Sequence, residues 1–77
     1  MMEREEQIEN GLIGLMITLG MPKTRIMISI LVINQLCLHE QMAAWVASFH
    51  DSEETITLQS FTAKLNELIA EKQTIGK

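Results

Sequence analysis

Residues 22–36 read PKTRIMISILVINQL, and whether they form a helix or a strand sets the fold class of this 77-residue chain. β-Branched residues alternate through the middle of the stretch, as they do in a fully buried strand, so a strand is an open alternative. We favour a helix because the run is longer than a typical strand and because Pro22 suits a helix's first turn. Since nearly every side of this helix is apolar, we expect other helices to flank it.

Three further helices are predicted by apolar residues that recur at steps of three and four. The first spans residues 3–19 and is stopped by Gly20. The third spans residues 39–49, and the fourth spans residues 57–72. The fourth has the clearest start, because Thr57 can cap it while Ile56 and Phe61 take the positions of a hydrophobic staple. The sequence therefore predicts an all-α fold, a small bundle of four helices in a single domain over residues 1–77.

The composition indicates a thin core that benefits from self-association. Hydrophobic residues make up 47% of the chain but aromatic residues only 4%, so burial depends on Ile, Leu, Met and Val. A core of this size leaves little net stability after the conformational entropy of the chain is subtracted. We therefore predict a homodimer.

Two glycines in the first helix suggest where the dimer contact lies. Gly11 and Gly14 stand three residues apart beside the apolar stripe. They are either simply tolerated or allow a second helix to approach closely, and both interpretations stay open. On the second, we expect the dimer interface to combine surplus apolar surface of the helix at 22–36 with these residues of the first helix: Ile8, Gly11, Leu12, Gly14 and Leu15.

Net charge, cysteine content and the length of the apolar run limit the ligands and the cellular locations that fit this chain. The net charge is −4 and no broad basic field is present, which counts against strong nonspecific DNA binding. The single cysteine, Cys37, cannot form an internal disulfide, and no secretory leader opens the chain. The apolar run at 26–33 is too short to span a bilayer. We expect a cytoplasmic protein without membrane insertion.

No residue pattern indicates catalysis or a cofactor. Cys37, His39 and His50 are possible zinc ligands, but a structural zinc site needs four ligands at suitable spacings and no fourth is evident. The simpler interpretation is a buried thiol and two surface imidazoles. Phosphate-loop, nucleophile-elbow and dinucleotide motifs are absent. We predict no enzymatic activity, no metal and no cofactor.

The order of the last three helices, joined by short polar turns, is typical of a helix-turn-helix. The stretch from Leu19 to Ile75 contains four characteristic segments: Gly20-Met21-Pro22-Lys23, the apolar helix 26–33, Met42-Ala43-Ala44-Trp45-Val46, and Thr57-Leu58-Gln59-Ser60-Phe61 continuing to Leu65-Asn66-Glu67-Leu68-Ile69. In pattern this stretch resembles the core of MarR-type winged-helix regulators. It departs from them in a longer, acidic turn before Thr57 and in having no residues for a wing after Ile75.

The resemblance implies a transcription regulator that binds double-stranded DNA as a dimer. The helix at 57–72 is then similar to the recognition helix, with Gln59 reading an adenine edge and Lys64 contacting a phosphate. The residues implied to face DNA are Thr57, Gln59, Ser60, Thr62 and Lys64.

Two alternatives stand beside this interpretation. The polar side of the helix at 57–72 is equally well explained as an ordinary solvated face. The whole chain is then a helical protein-protein interaction module, a homodimer or adaptor, whose six methionines suit adaptable apolar contacts. Dimerisation alone does not separate the two functions, since helix-turn-helix proteins usually bind DNA as dimers.

Overall fold

The computed structural model describes residues 3–50 and 52–75, with side chains as far as residue 73. This part of the chain is an all-α bundle of four helices, which confirms the predicted fold class. The helices are α1 (Arg4–Thr18), α2 (Lys23–Gln35), α3 (His39–Ala47) and α4 (Leu58–Ile75). The start of α3 is as predicted, and the other ends differ from the predicted ones by one to three residues.

The α2 segment is helical, so the strand alternative is wrong. Pro22 precedes the helix in an extended conformation, and its carbonyl accepts a hydrogen bond from the Ile26 N–H at 3.0 Å. α1 and α4 flank α2, but they leave part of its apolar surface uncovered. Only Ile33 of this helix is fully buried, whereas Met27, Ile28 and Leu31 are more than half exposed. The bundle has too few helices to cover every side of an apolar helix.

The turn between α1 and α2 ends α1 in the way that the sequence predicts. Gly20 has a φ of +84°, a left-handed conformation that glycine adopts without steric cost. The Gly20 N–H donates to the Ile17 carbonyl at 3.0 Å, and the Met21 N–H donates to the Met16 carbonyl at 3.0 Å. These two bonds form a Schellman motif, and its flanking residues Met16 and Met21 are both buried.

The turn between α2 and α3 repeats this motif with a cysteine in the left-handed position. Cys37 has a φ of +55°, and the Leu38 N–H donates to the Ile33 carbonyl at 2.9 Å. A residue that carries a Cβ atom is strained by about 1–2 kcal/mol in this conformation, whereas glycine is not.

We expect Cys37→Gly to raise the free energy of unfolding by roughly 0.5–1 kcal/mol, because the strain relieved exceeds the extra chain entropy that glycine loses on folding. Cys37→Ala is the matched control: it also removes the exposed thiol but keeps the strained φ. Urea denaturation followed by circular dichroism measures both variants. Equal stabilisation by alanine would show that the thiol, and not the backbone, is responsible.

The start of α4 is capped as predicted. The Ser60 N–H donates to Thr57 Oγ1 at 3.1 Å, and the Thr57 N–H donates to Ser60 Oγ at 2.9 Å. The two hydroxyl side chains thus form a reciprocal capping box, with serine in the place usually held by glutamate or glutamine. Ile56 and Phe61 both belong to the hydrophobic core or its margin, consistent with the staple.

The described chain encloses one cluster of buried apolar side chains, to which every helix contributes. Phe61 is its largest member and lies edge-on to Trp45 with ring centroids 6.1 Å apart. Trp45 also contacts Phe49 edge-on at 5.0 Å. The members of the cluster are Leu12, Met16, Met21, Ile33, Leu38, Met42, Phe61, Leu65 and Leu68.

Candidate protein-binding surface

A groove between α1 and α2 carries most of the large apolar side chains that the described chain leaves strongly exposed. Ile17, Met27 and Leu31 line it and are 63%, 65% and 55% exposed, respectively. The groove has a volume of about 710 Å³. We call it the α1/α2 groove, and its lining residues are Glu9, Ile13, Ile17, Met21, Lys23, Ile26, Met27, Ile30, Leu31 and Asn34.

The α1/α2 groove runs along most of the length of α2. Its α2 wall, with 13 residues, is about 20 Å long at 1.5 Å per residue. Clustered apolar groups left in water at this scale are typical of interaction surfaces, whereas isolated ones are ordinary. Helix-in-groove recognition uses such a surface to receive apolar side chains spaced one helical turn apart.

Opposite charges stand at the two ends of the α1/α2 groove. Lys23 begins α2 beside the turn at which α1 ends. Glu9 lies nine residues before the last residue of α1, a separation of about 14 Å along the helix axis. Glu9 is anchored, because its Oε1 lies 3.0 Å from Nε2 of His39. The groove is therefore apolar along its length and carries an acid at one end and a base at the other.

Most of the predicted dimer residues line a different groove, between α1 and α3. This second groove has a volume of about 310 Å³ and is lined by Ile8, Gly11, Leu12, Leu15, Ala43, Val46 and Ala47. Leu12 is only 4% exposed and belongs to the chain's own core, so it is not free to contact a partner. Gly14 is exposed and does not line this groove. A Cβ built on either glycine meets nothing within 4 Å.

The residues implied to face DNA do not share one side of α4. Thr57 and Ser60 use their hydroxyl groups to cap the helix. Gln59 is exposed, but Lys64 lies five residues later, about 140° further around the helix axis. Lys64 Nζ is 3.5 Å from Oε1 of Glu67, which draws the cation toward an acid on its own helix.

A cation from α2 reaches the side of α4 that carries Gln59. Arg25 lines a groove of about 570 Å³ together with Gln59, Thr62 and Asn66. Sequence reasoning missed Arg25 as a neighbour of α4, because it lies more than thirty residues away along the chain. Arg25, Gln59, Thr62 and Asn66 thus line one groove between α2 and α4.

The environments of Cys37 and His39 are the reverse of those expected. Cys37 is exposed, whereas His39 is only 7% exposed. His39 is the first residue of α3 and binds Glu9 of α1, so it joins these two helices. Among the described residues, no three His, Cys, Asp or Glu side chains come close enough to hold a metal ion.

An ion pair on the surface makes a second link between α1 and α3. Arg4 Nε donates to Glu40 Oε2 at 2.6 Å, and Arg4 Nη2 donates to Glu40 Oε1 at 3.1 Å. The hydrogen bond and charge of Arg4 lower the pKa of the Glu40 carboxyl below its ordinary value. Both side chains are strongly exposed, so solvent screens this pair. The pair connects the start of α1 with the start of α3.

Helix length and apolar character also bear on membrane insertion. A helix needs about 20 predominantly apolar residues to cross a bilayer. In residues 3–50 and 52–75, no single helix meets this requirement. Only α2 and α3 taken jointly meet it, and a bend of 115° separates them.

Comparison with known proteins leaves the chain without an assigned relative. No protein-family model, no curated protein and no solved structure matches it. The resemblance to MarR-type regulators therefore stays a prediction.

Proposed function

We propose that this chain is a non-enzymatic protein-interaction module that binds the apolar face of an α-helix in the α1/α2 groove. The observation that carries this proposal is the clustering of Ile17, Met27 and Leu31, each more than half exposed, in one groove. Covering a side chain of this size with a partner is worth up to about 1.5–3 kcal/mol. A partner helix therefore has a strong apolar driving force at this position.

The shape of the groove favours a helix over an extended peptide. Two helices form its walls, and neither helix has unpaired main-chain groups along its middle to which a strand can add. The long methionine and branched isoleucine side chains instead suit the ridges of another helix. Charged groups stand mainly at the ends, where they orient the bound helix without a large desolvation cost.

A labelled helical peptide tests the proposal. The peptide has leucine at the a and d positions of each heptad and equal numbers of Glu and Lys elsewhere. We expect saturable binding in the micromolar range by fluorescence anisotropy, with Met27→Glu weakening it at least about tenfold because a carboxylate is then buried. Ile28→Glu is the matched control, since Ile28 is 56% exposed on the same helix but lies outside the groove. Equal losses in the two variants, or no saturable binding, would contradict the proposal.

DNA binding is the second candidate function, and the position of Arg25 favours it. This guanidinium lies in the same groove as Gln59 and Thr62, so a cation and polar groups capable of base contact stand together. As a helix-turn-helix regulator the chain would present α4 to the major groove. The weak point is charge, because Lys64 faces Glu67 and few cations remain for phosphates.

Titration with duplex DNA in place of the peptide separates the two candidates. For a protein-interaction module we expect no binding of labelled mixed-sequence duplex at low salt. Binding that weakens steeply with salt and is lost in Gln59→Ala with Arg25→Ala would instead support DNA recognition. The two experiments use the same protein preparation, so misfolding affects both and is recognised by circular dichroism.

A further inference from the structure

We infer that the α1/α2 groove is covered by α1 and α2 of a second copy of this chain, placed antiparallel by a two-fold axis. The inference rests on the proposed function of this groove and specifies its occupant. It takes its support from the surface area of the chain, the ends of the groove and the arrangement of the apolar side chains.

The chain exposes more surface than a compact monomer of its mass. Its accessible surface is 5494 Å² for a mass of 8.7 kDa. Folded monomers of this mass expose about 4,700 Å². The difference, roughly 800 Å², is of the same order as the area that one partner contributes to a standard protein-protein interface. A dimer through one face of this chain removes a surplus of this size.

Two copies of the groove can face each other in a parallel or an antiparallel orientation, and only the antiparallel one brings opposite charges together. A two-fold axis that lies in the interface and runs across the helices brings the Glu9 end of one copy to the Lys23 end of the other. Symmetry repeats this pair, so the interface gains two contacts between opposite charges. An axis parallel to the helices instead opposes Glu9 to Glu9 and Lys23 to Lys23, which is unfavourable.

The same antiparallel orientation matches the apolar side chains. Leu31 lies eight residues after Lys23, about 12 Å along α2, whereas Ile17 lies at the turn end of α1. Reversing the second copy therefore brings Leu31 of one chain toward Ile17 of the other, while Met27, about 6 Å along α2 from Lys23, lies nearer the two-fold axis. The α1 and α2 helices of the two copies then pack as a four-helix layer.

Sedimentation equilibrium of the full chain over a range of concentrations tests the inference. We expect a species of twice the 8.7 kDa chain mass. Leu31→Glu should weaken the dimer at least about a hundredfold, since symmetry places each substitution in the interface twice. Ile28→Glu, equally exposed but outside the groove, should leave it within about twofold.

A charge variant tests the orientation. Lys23→Gln should weaken the antiparallel dimer roughly threefold and reduce its sensitivity to salt, because two cross-copy pairs are lost. A stronger dimer in this variant would overturn the antiparallel arrangement, since it relieves the Lys23 pair of the parallel one. Dissociation by Ile28→Glu as strong as that by Leu31→Glu would place the interface elsewhere.

The outcomes also separate this inference from the proposed function. A chain that stays monomeric, yet binds the helical peptide in a way that Met27→Glu abolishes, overturns the second copy as occupant and leaves the helix-binding groove in place. A chain that stays monomeric and binds no peptide overturns both.

Discussion

Phe61→Ala is expected to lower the free energy of unfolding by about 3–5 kcal/mol, the usual effect of removing a fully buried aromatic ring. Phe61 has no exposed surface and is the largest side chain of the core. It joins α4 to α3 through its edge contact with Trp45. Since small domains have a total stability of about 5–15 kcal/mol and this core is thin, much of the variant should be unfolded.

The single tryptophan reports this change directly. Urea denaturation followed by Trp45 fluorescence measures the loss of stability, and circular dichroism measures the loss of helix. Phe49→Ala is the matched control, because Phe49 also meets Trp45 edge-on but is only half-buried. We expect the control to lose less than half as much stability. Equal losses would mean that the packing around Trp45, and not burial of Phe61, holds α4 in place.

Leu38→Ala should cost about 2–5 kcal/mol, the range for truncating a buried leucine. Leu38 has no exposed surface and lies between α2 and α3, where its N–H ends one helix and its carbonyl accepts from the Met42 N–H of the next. Removing its side chain leaves a cavity at the turn that sets the direction of α3. Thermal and urea unfolding of the variant measure the effect.

Leu31→Ala is the control for this prediction. It makes the same chemical change in the same region, but Leu31 is 55% exposed. At protein concentrations too low for association we expect a loss within about 0.5 kcal/mol. A loss as large as that of Leu38→Ala would show that the α1/α2 groove is closed within one chain, which would remove the basis of the proposed binding surface.

The helices and their ends could be predicted from local sequence. The cap at Thr57 and the left-handed stop at Gly20 depend on side chains and backbone preferences within a few residues. The left-handed stop at Cys37 could not, because cysteine has no preference for this conformation and adopts it under the constraint of the surrounding packing. The sequence also showed that α2 is apolar. It left open whether this segment is a helix or a strand, and the structure shows a helix.

The candidate site was much less predictable. The sequence pointed to the Gly11/Gly14 side of α1 and to surplus apolar surface of α2 for self-association. Met27 and Leu31 of α2 are strongly exposed and line the α1/α2 groove, whereas Gly11 lines the separate groove between α1 and α3. Periodicity indicates which residues of a helix are apolar, but α2 is apolar on nearly every side, so it does not indicate which side stays uncovered. His39 and Glu9 were likewise unrelated in sequence and are joined by the packing of α3 on α1.

Local sequence thus predicted four helical segments and several of their ends, and it indicated that the apolar residues exceed what a small core can hold. Tertiary structure decided which of those residues stay in water. Helix formation is governed by interactions over three or four residues, which the sequence displays directly. The uncovered face of α2 depends on how α1, α3 and α4 share the limited surface around it. That arrangement arises from contacts between residues far apart in the chain, such as Phe61 with Trp45 and His39 with Glu9.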